Sequence, residues 1–249
     1  MEIILHIFHF FQDNFPSLKL ISWLFPISII WSFLALFLAG FCKQNLNWKT
    51  GYTRKLFHFF IFISAFFYQK YFGLPGVFIL GWSVTIVLVY ACIKGNRNLF
   101  YEALAREKDA PYRTKYIIYS YLATFCGGVL SNLLFGKFAI FGYAVTGIAD
   151  AIAEPIGTRF GKHTYRVFSF DKNKNSYRSI EGSIVVFVAS FISIIAVAFL
   201  TNTYSINYPL LFVVAIVCTL VEAFSPSGFD NMLLQMVASF LCSILFFYQ

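Results

Sequence analysis

Charge is scarce in this chain. Asp, Glu, Lys and Arg make up 12% of its 249 residues, against about 25% in a typical soluble domain. Fifty-nine per cent are hydrophobic and 33 are Phe, more apolar surface than a soluble core of this size can hide. An ordinary cytosolic enzyme is thereby excluded, as is a disordered or collagen-like chain. Cysteine is sparse as well: the five, at 42, 92, 126, 218 and 242, lie in or beside apolar stretches without CxxC spacing. They read as small buried hydrophobes rather than disulfides or zinc ligands. No GxxxxGK[ST] element is present, so a P-loop is unsupported. The start, MEIILHIFHFFQDNF, has neither a basic head nor a small-residue cleavage site, and no cleavable signal peptide is expected.

What is present is a series of apolar stretches near the roughly 20 residues that cross a bilayer as a helix. They run over 20–41, 56–73, 74–93, 116–134, 138–153, 182–200, 209–224 and 231–248. None shows the strict alternation of barrel strands. The reading is an all-α polytopic transmembrane helical bundle of about eight spans, forming a single integral-membrane domain over 1–249. Residues 1–19 form an interfacial N-terminal segment, and 154–181 a basic cytoplasmic loop.

The basic residues divide unequally between the two sides. With the N-terminus outside, 16 fall on one side and three (Lys19, Lys70 and Lys137) on the other. That asymmetry orients the richer side to the cytoplasm. The +8 net charge therefore follows from topology and is compatible with a polyanionic substrate; nucleic acid is not expected.

Polar residues cluster on the same side. Arg54, Lys55 and His58 open the second span; Arg54 and His58 share a helical face, and alone they read as interfacial cations. Asp150 and Glu154 lie four apart at the end of the fifth span, where two carboxylates repel and resist desolvation. A divalent cation such as Mg²⁺ relieves both problems, since it uses one or two carboxylates plus phosphate oxygens. Gly147, Ala149, Ala151 and Ala153 leave room around the pair. Pro155 is expected to end or break the helix there.

The loop that follows carries Arg159, Lys162, Arg166, Lys172, Lys174 and Arg178 and closes on Ser179-Ile180-Glu181-Gly182. Ser179 suits an N-cap, and free N–H groups at that helix start, with Arg178 and Gly182, would also suit phosphate. Glu222 ends the seventh span against the helix dipole and calls for a cation. Asp230 or Asn231 can cap the last helix.

In order, these clusters read RKxxH (Arg54, Lys55, His58), D-xx-A-E with G-x-R-F-G (Asp150 to Gly161), R-S-x-E-G-S (Arg178 to Ser183) and V-E-A with a later D-N (Val221 to Ala223, Asp230, Asn231). Over roughly 50–240 the set resembles the phytol kinase, dolichol kinase and CTP-dependent diacylglycerol kinase family, related to phosphatidate cytidylyltransferases. It departs in Ala149 for the family's Gly, in Glu154, in Pro155 and in Arg178 for a more usual Lys, and these changes bear on the acceptor lipid.

The resemblance implies transfer of a phosphoryl group from CTP to an isoprenoid or diacylglycerol-type hydroxyl. Asp150 and Glu154 would hold Mg²⁺. Arg54, Lys55, His58, Arg159, Lys162, Arg178, Ser179, Gly182 and Asn231 would bind the nucleotide phosphates, and Asp230 or Glu222 would take the alcohol proton. The allied alternative is a phosphatidate cytidylyltransferase making CDP-diacylglycerol; an alternative of another class is a membrane transporter. The expected partners are CTP, a membrane lipid alcohol and the bilayer, with homo-oligomerisation left open. The expected location is a bacterial inner membrane, with the site facing the cytoplasm.

Overall fold

The computed structural model describes residues 2–168, 176–202, 206–226 and 228–246. Its helices are α1 (Glu2–Asp13), α2 (Leu18–Asn45), α3 (Thr50–Lys94), α4 (Leu99–Glu102), α5 (Arg113–Phe135), α6 (Ala139–Val145), α7 (Ala151–Phe160), α8 (Ile180–Thr201), α9 (Tyr208–Phe224) and α10 (Asp230–Phe246). Two short strands, β1 (Thr164–Val167) and β2 (Ser176–Ser179), two 3-10 turns (Glu107–Asp109 and Gly136–Phe138) and a π-helical turn (Thr146–Asp150) accompany them. α2, α3, the run from α5 to α7, and α8 are each long and apolar enough to cross a membrane; α9 and α10 are shorter apolar helices. Large apolar side chains such as Ile30, Val89, Ile184 and Phe212 stand exposed on the outer surface, where water would penalise them and acyl chains do not. The protein is a polytopic helical membrane protein.

The α3 segment is two helices. Gly73 has φ +65, a conformation costly for residues with a Cβ, and the contacts on either side of it run in opposite directions along α2. Trp23 meets Phe72, Ser28 meets Tyr68, and Trp31 meets Ser64 and Phe60, an antiparallel sequence. Beyond Gly73 the order reverses: Phe11 of α1 stacks on Phe78, Phe15 meets Trp82, and Phe33 of α2 meets Tyr90. The chain therefore doubles back at Gly73, bringing both ends of α3 to the same side of the bundle. Two hydrogen bonds, Trp31 Nε1 to Ser64 Oγ at 2.8 Å and Ser28 Oγ with Tyr68 Oη at 2.9 Å, lock α2 to the first half in a region without water to compete.

The apolar core falls into two bodies. One packs α2, α3, the α4 region and the start of α5 around Leu36, Phe57, Phe62, Val87 and Leu104. The other packs α6, α8, α9 and α10 around Phe141, Ile194, Leu211, Leu234 and Cys242. Between them runs a stripe of small residues, Ala149 and Ala153 against Val186 and Ala189. All five cysteines are unpaired.

Two local expectations fail. Pro155 neither ends nor breaks its helix: α7 continues to Phe160, and the irregularity lies one turn earlier, in a π-helical turn over Thr146–Asp150. Proline crowds the carbonyl four residues back. Here that is Ala151, the residue after the wide turn, where the altered register absorbs the crowding. The segment 154–181 is also not one loop. Beyond α7, β1 and β2 pair antiparallel with Thr164 opposite Ser179 and Val167 opposite Ser176. Thr164, Tyr165, Val167 and Tyr177 suit a pleated surface, but the interspersed charges hide their alternation. Lys172 and Lys174 lie outside the described residues.

Candidate active site

The site is assembled where the first turn of α3 meets the π-turn ahead of α7. Arg54, Lys55 and His58 project from α3, Asp150 from the end of the π-turn and Glu154 from one turn further on. Lys55 Nζ pairs directly with Asp150 Oδ2, and both side chains are buried. The same ammonium lies 3.3 Å from Glu154 Oε2, and Arg54 Nη2 lies 3.6 Å from that oxygen. His58 Nε2 is 3.4 Å from Asp150 Oδ2 but has no hydrogen-bond partner among the described residues. The imidazole packs on Phe62 with centroids 4.3 Å apart and bonds to the Thr146 backbone. Gly51 admits the Glu154 carboxylate, whose Oε1 would lie 3.1 Å from a Cβ there.

The electrostatic logic differs from the sequence expectation in one respect. Two carboxylates four residues apart on a helix do need positive charge beside them, and Lys55 and Arg54 supply it from within the protein. Uncompensated charges at this depth would each cost several kcal/mol.

A second group forms at the same end of the bundle. β2 delivers Arg178, whose Nε is 3.2 Å from Glu222 Oε1 and whose Nη2 is 3.3 Å from Asp230 Oδ2. Both terminal nitrogens also lie 3.3 Å from Ser225 Oγ. One guanidinium thus joins the hairpin to the end of α9 and the start of α10. The groups act on each other: Asp230 lies within electrostatic range of Arg54, Lys55 and His58, and Glu222 within range of Asp150 and Lys55.

The junction between α7 and α8 is packed closely around glycines. Ser179 Oγ accepts the Gly182 N–H at 3.1 Å, capping α8. Gly157 packs so closely that a Cβ there would come within 2.9 Å of Ser179 Oγ and 3.5 Å of Gly182 Cα. The Glu181 carboxylate accepts the Lys162 N–H at 3.0 Å and meets His163 Nδ1 at 2.9 Å, tying the end of α7 to the start of α8.

The structure therefore brings Arg54, Lys55, His58, Asp150, Glu154, Arg178, Glu222 and Asp230 together. It places Ser179 and Gly182 at the edge, as a cap. Arg159 and Lys162 are exposed and apart from the buried group; the Arg159 guanidinium lies 5.3 Å from the neighbouring Phe160 ring. Asn231 turns toward α5, giving its Nδ2 hydrogen to Thr124 Oγ1 at 3.0 Å. Two residues read only as topology signals, Arg106 and Lys108, fall within electrostatic range of Glu154. Only packing of the α4–α5 segment onto α3 reveals them.

Among the described residues no three His, Cys, Asp or Glu side chains gather as a metal cage. Asp150 and Glu154 nonetheless converge on a single point, the Lys55 nitrogen. That donor set suits an ion such as Mg²⁺, which takes one or two carboxylates and draws its other ligands from substrate phosphates and water.

Fold and site define a membrane protein with a compact charged centre at one end of an apolar helical bundle. In sequence, the chain is 37% identical over 98 residues to a phytol kinase of Synechocystis sp., an alignment covering 38% of this chain and 39% of that protein. The chain thus matches well under half the length of this curated relative. No family model matches the chain, and no solved structure does.

Proposed function

We propose that the protein is a CTP-dependent kinase transferring a phosphoryl group to the hydroxyl of a membrane lipid alcohol, of isoprenoid or diacylglycerol type. The observation that carries this reading is the buried Asp150–Lys55–Glu154 group beside the Arg178–Glu222–Asp230 group, in a chain similar in part to a phytol kinase. Phosphoryl transfer asks chiefly for positioning and charge stabilisation, and fixed cations and carboxylates at an apolar boundary supply both.

In this reading Asp150 and Glu154 hold Mg²⁺, which when bound neutralises charge on the triphosphate. Arg54, Lys55 and Arg178 face the phosphate oxygens, while the exposed Arg159 and Lys162 attract the nucleotide from solution. Asp230 accepts the alcohol proton, because its side chain is 23% exposed whereas that of Glu222 is 10% exposed. Glu222 holds Arg178 in place. The lipid chain enters sideways between apolar helices and leaves its hydroxyl at the boundary. The site faces the cytoplasm of a bacterial inner membrane, in accord with the 16-to-3 division of basic residues.

The test is purified protein supplied with CTP, Mg²⁺ and a panel of lipid alcohols and phosphatidate, with both products identified. CDP and a lipid monophosphate are expected. Pyrophosphate with a CDP-lipid would move the assignment to a cytidylyltransferase, and no CTP consumption would reject it. Asp150→Asn should abolish turnover while the protein still inserts.

A further inference from the structure

The segment between α4 and α5 is held against the start of α3, beside the site. Glu107 is its anchor: the carboxylate accepts Thr50 Oγ1 at 3.0 and 3.1 Å and pairs with Lys43 Nζ at 2.5 Å. Thr53 Oγ1 donates to Ala103 O at 2.8 Å, and Arg113 donates to Ala105 O at 2.5 Å and Arg106 O at 3.3 Å. The segment is thus fastened to α2, α3 and α5 together. Its anchor on Thr50 is one residue from Gly51, which faces Glu154 Oε1.

The fastening sets two cations beside the charged group of the site. Arg106 spends its Nε on Asp109 Oδ2 at 3.0 Å. Its two terminal nitrogens make no described hydrogen bond, and the Lys108 side chain makes none either. Both residues lie within electrostatic range of Arg54 and Glu154. The crowding is visible in Arg106, whose guanidinium is drawn below its ordinary value first by the charge of Arg54 and then by burial. Four cations (Arg54, Lys55, Arg106 and Lys108) therefore face three carboxylates (Asp150, Glu154 and Asp109). Asp109 and Asp150 are buried, the Glu154, Arg54 and Arg106 side chains are half-buried, and Lys108 is exposed. Like charges clamped together are stabilised when an anion enters between them, and a guanidinium whose terminal nitrogens make no described hydrogen bond is suited to phosphate.

We propose that the 106–108 segment is a second wall of the phosphate site, in which Arg106 and Lys108, with Arg54 opposite, bind the outermost phosphates of a polyphosphate ligand. The assignment rests on the kinase reading only for the identity of that ligand as CTP. Charge-assisted hydrogen bonds to phosphate are among the stronger polar contacts, so each cation carries a measurable share of the affinity.

The experiment measures binding of inorganic triphosphate to the purified full-length protein, and in parallel KM and kcat for CTP. Arg106→Gln and Lys108→Gln should each weaken triphosphate binding by about tenfold and raise the KM for CTP similarly, with kcat within about twofold. Lys115→Gln, a cation resting on the rings of Tyr112 and Tyr119, should change neither. Arg106→Lys should recover part of the loss. Lys108→Gln removes an exposed side chain and reads the proposal even if Arg106→Gln fails to fold. Normal CTP turnover with triphosphate affinity unchanged in Lys108→Gln overturns the second wall. So does an equal loss in Lys115→Gln, or a wild-type protein that binds no triphosphate. Triphosphate binding that weakens as described, without CTP turnover, rejects the kinase reading and keeps the wall.

Discussion

The ammonium of Lys55 is buried against the carboxylate of Asp150, a contact between residues 95 positions apart in the chain. It closes the first half of α3 onto the π-turn before α7, and Glu154 completes it from 3.3 Å. Removing one partner of a buried pair leaves the other charged without compensation, at a cost of about 3–5 kcal/mol. Lys55→Met should therefore destabilise the protein by that amount in thermal or chaotropic unfolding in detergent. The double variant with Asp150→Leu should regain much of the loss, since no orphan charge is left. Additive losses in that cycle would mean that the pair is not coupled.

Arg178 makes three different contacts, with Glu222, Asp230 and Ser225, and they need a planar fork. Lysine keeps the charge but offers a single point donor. Arg178→Lys should therefore lower kcat by at least about tenfold while barely moving the melting temperature, as read by CTP turnover beside unfolding. Turnover near wild type would show that the charge alone suffices.

Much of the bundle could be read from the chain before its structure, because a membrane helix announces itself through length and hydropathy alone. Even the reversal at Gly73 falls at the boundary between two apolar stretches. What could not be read depends on approach in space. Arg54 and Lys55 look like interfacial cations until the carboxylates of a helix nearly a hundred residues later close on them. Arg106 and Lys108 look like topology signals until Glu107 is seen fastened to Thr50. The β1–β2 pair was hidden because Arg166 and Arg178 interrupt its apolar alternation. The helix through Pro155 is not legible either, because the π-turn upstream takes up the proline's effect on helix geometry.

Gly157 lets α7 pack closely against the start of α8. A methyl group there would meet Ser179 Oγ at 2.9 Å, inside ordinary contact distance. The serine cannot move away without giving up its hydrogen bond to Gly182. Gly157→Ala should cost about 1–3 kcal/mol through overpacking, and the strain should loosen the β1–β2 pair. Trypsin cleavage at Arg178, a site protected by its partners, should accelerate severalfold at constant protease. An unchanged cleavage rate would mean that the junction has slack.

The segment that carries Arg106 should loosen in acid. The hydrogen bond from Arg113 holds the Glu102 carboxyl below its ordinary 4.5, helped by the Arg97 N–H. At Glu107 burial pushes the carboxyl up, but Lys43 and Thr50 outweigh it and the net direction is also down. A carboxyl depressed in the folded state contributes stability that is complete above 4.5 and lost as the pH falls through its folded value. Amide protection over 97–110 should therefore drop between about pH 5 and about pH 3, ahead of the middle of α9. Glu107→Gln should lose part of that protection already at neutral pH.

A row of neutral polar side chains runs between α3, α5, α6 and α10, away from the charged groups. Gln69 Nε2 donates to Asn132 Oδ1 at 2.8 Å, and Asn132 Nδ2 to Tyr143 Oη at 2.7 Å. Further along, Gln235 Nε2 reaches Thr124 O at 3.2 Å, and Asn231 reaches Thr124 Oγ1 at 3.0 Å. An ion path would need charged side chains along its depth, whereas these are amides and hydroxyls joined helix to helix. The row is therefore an adhesive between helices, and each such bond in a membrane contributes about 0.6 kcal/mol, rarely above about 1.7. Asn132→Leu breaks two bonds between helices and one to Gly128 O within its own helix, and strands Tyr143 Oη, so a loss of about 1–3 kcal/mol is expected, with CTP turnover within about twofold. Combining it with Tyr143→Phe should cost less than the two separate losses added, because the stranded hydroxyl is removed as well. Turnover that collapses while unfolding stays unchanged would instead place this row in the reaction.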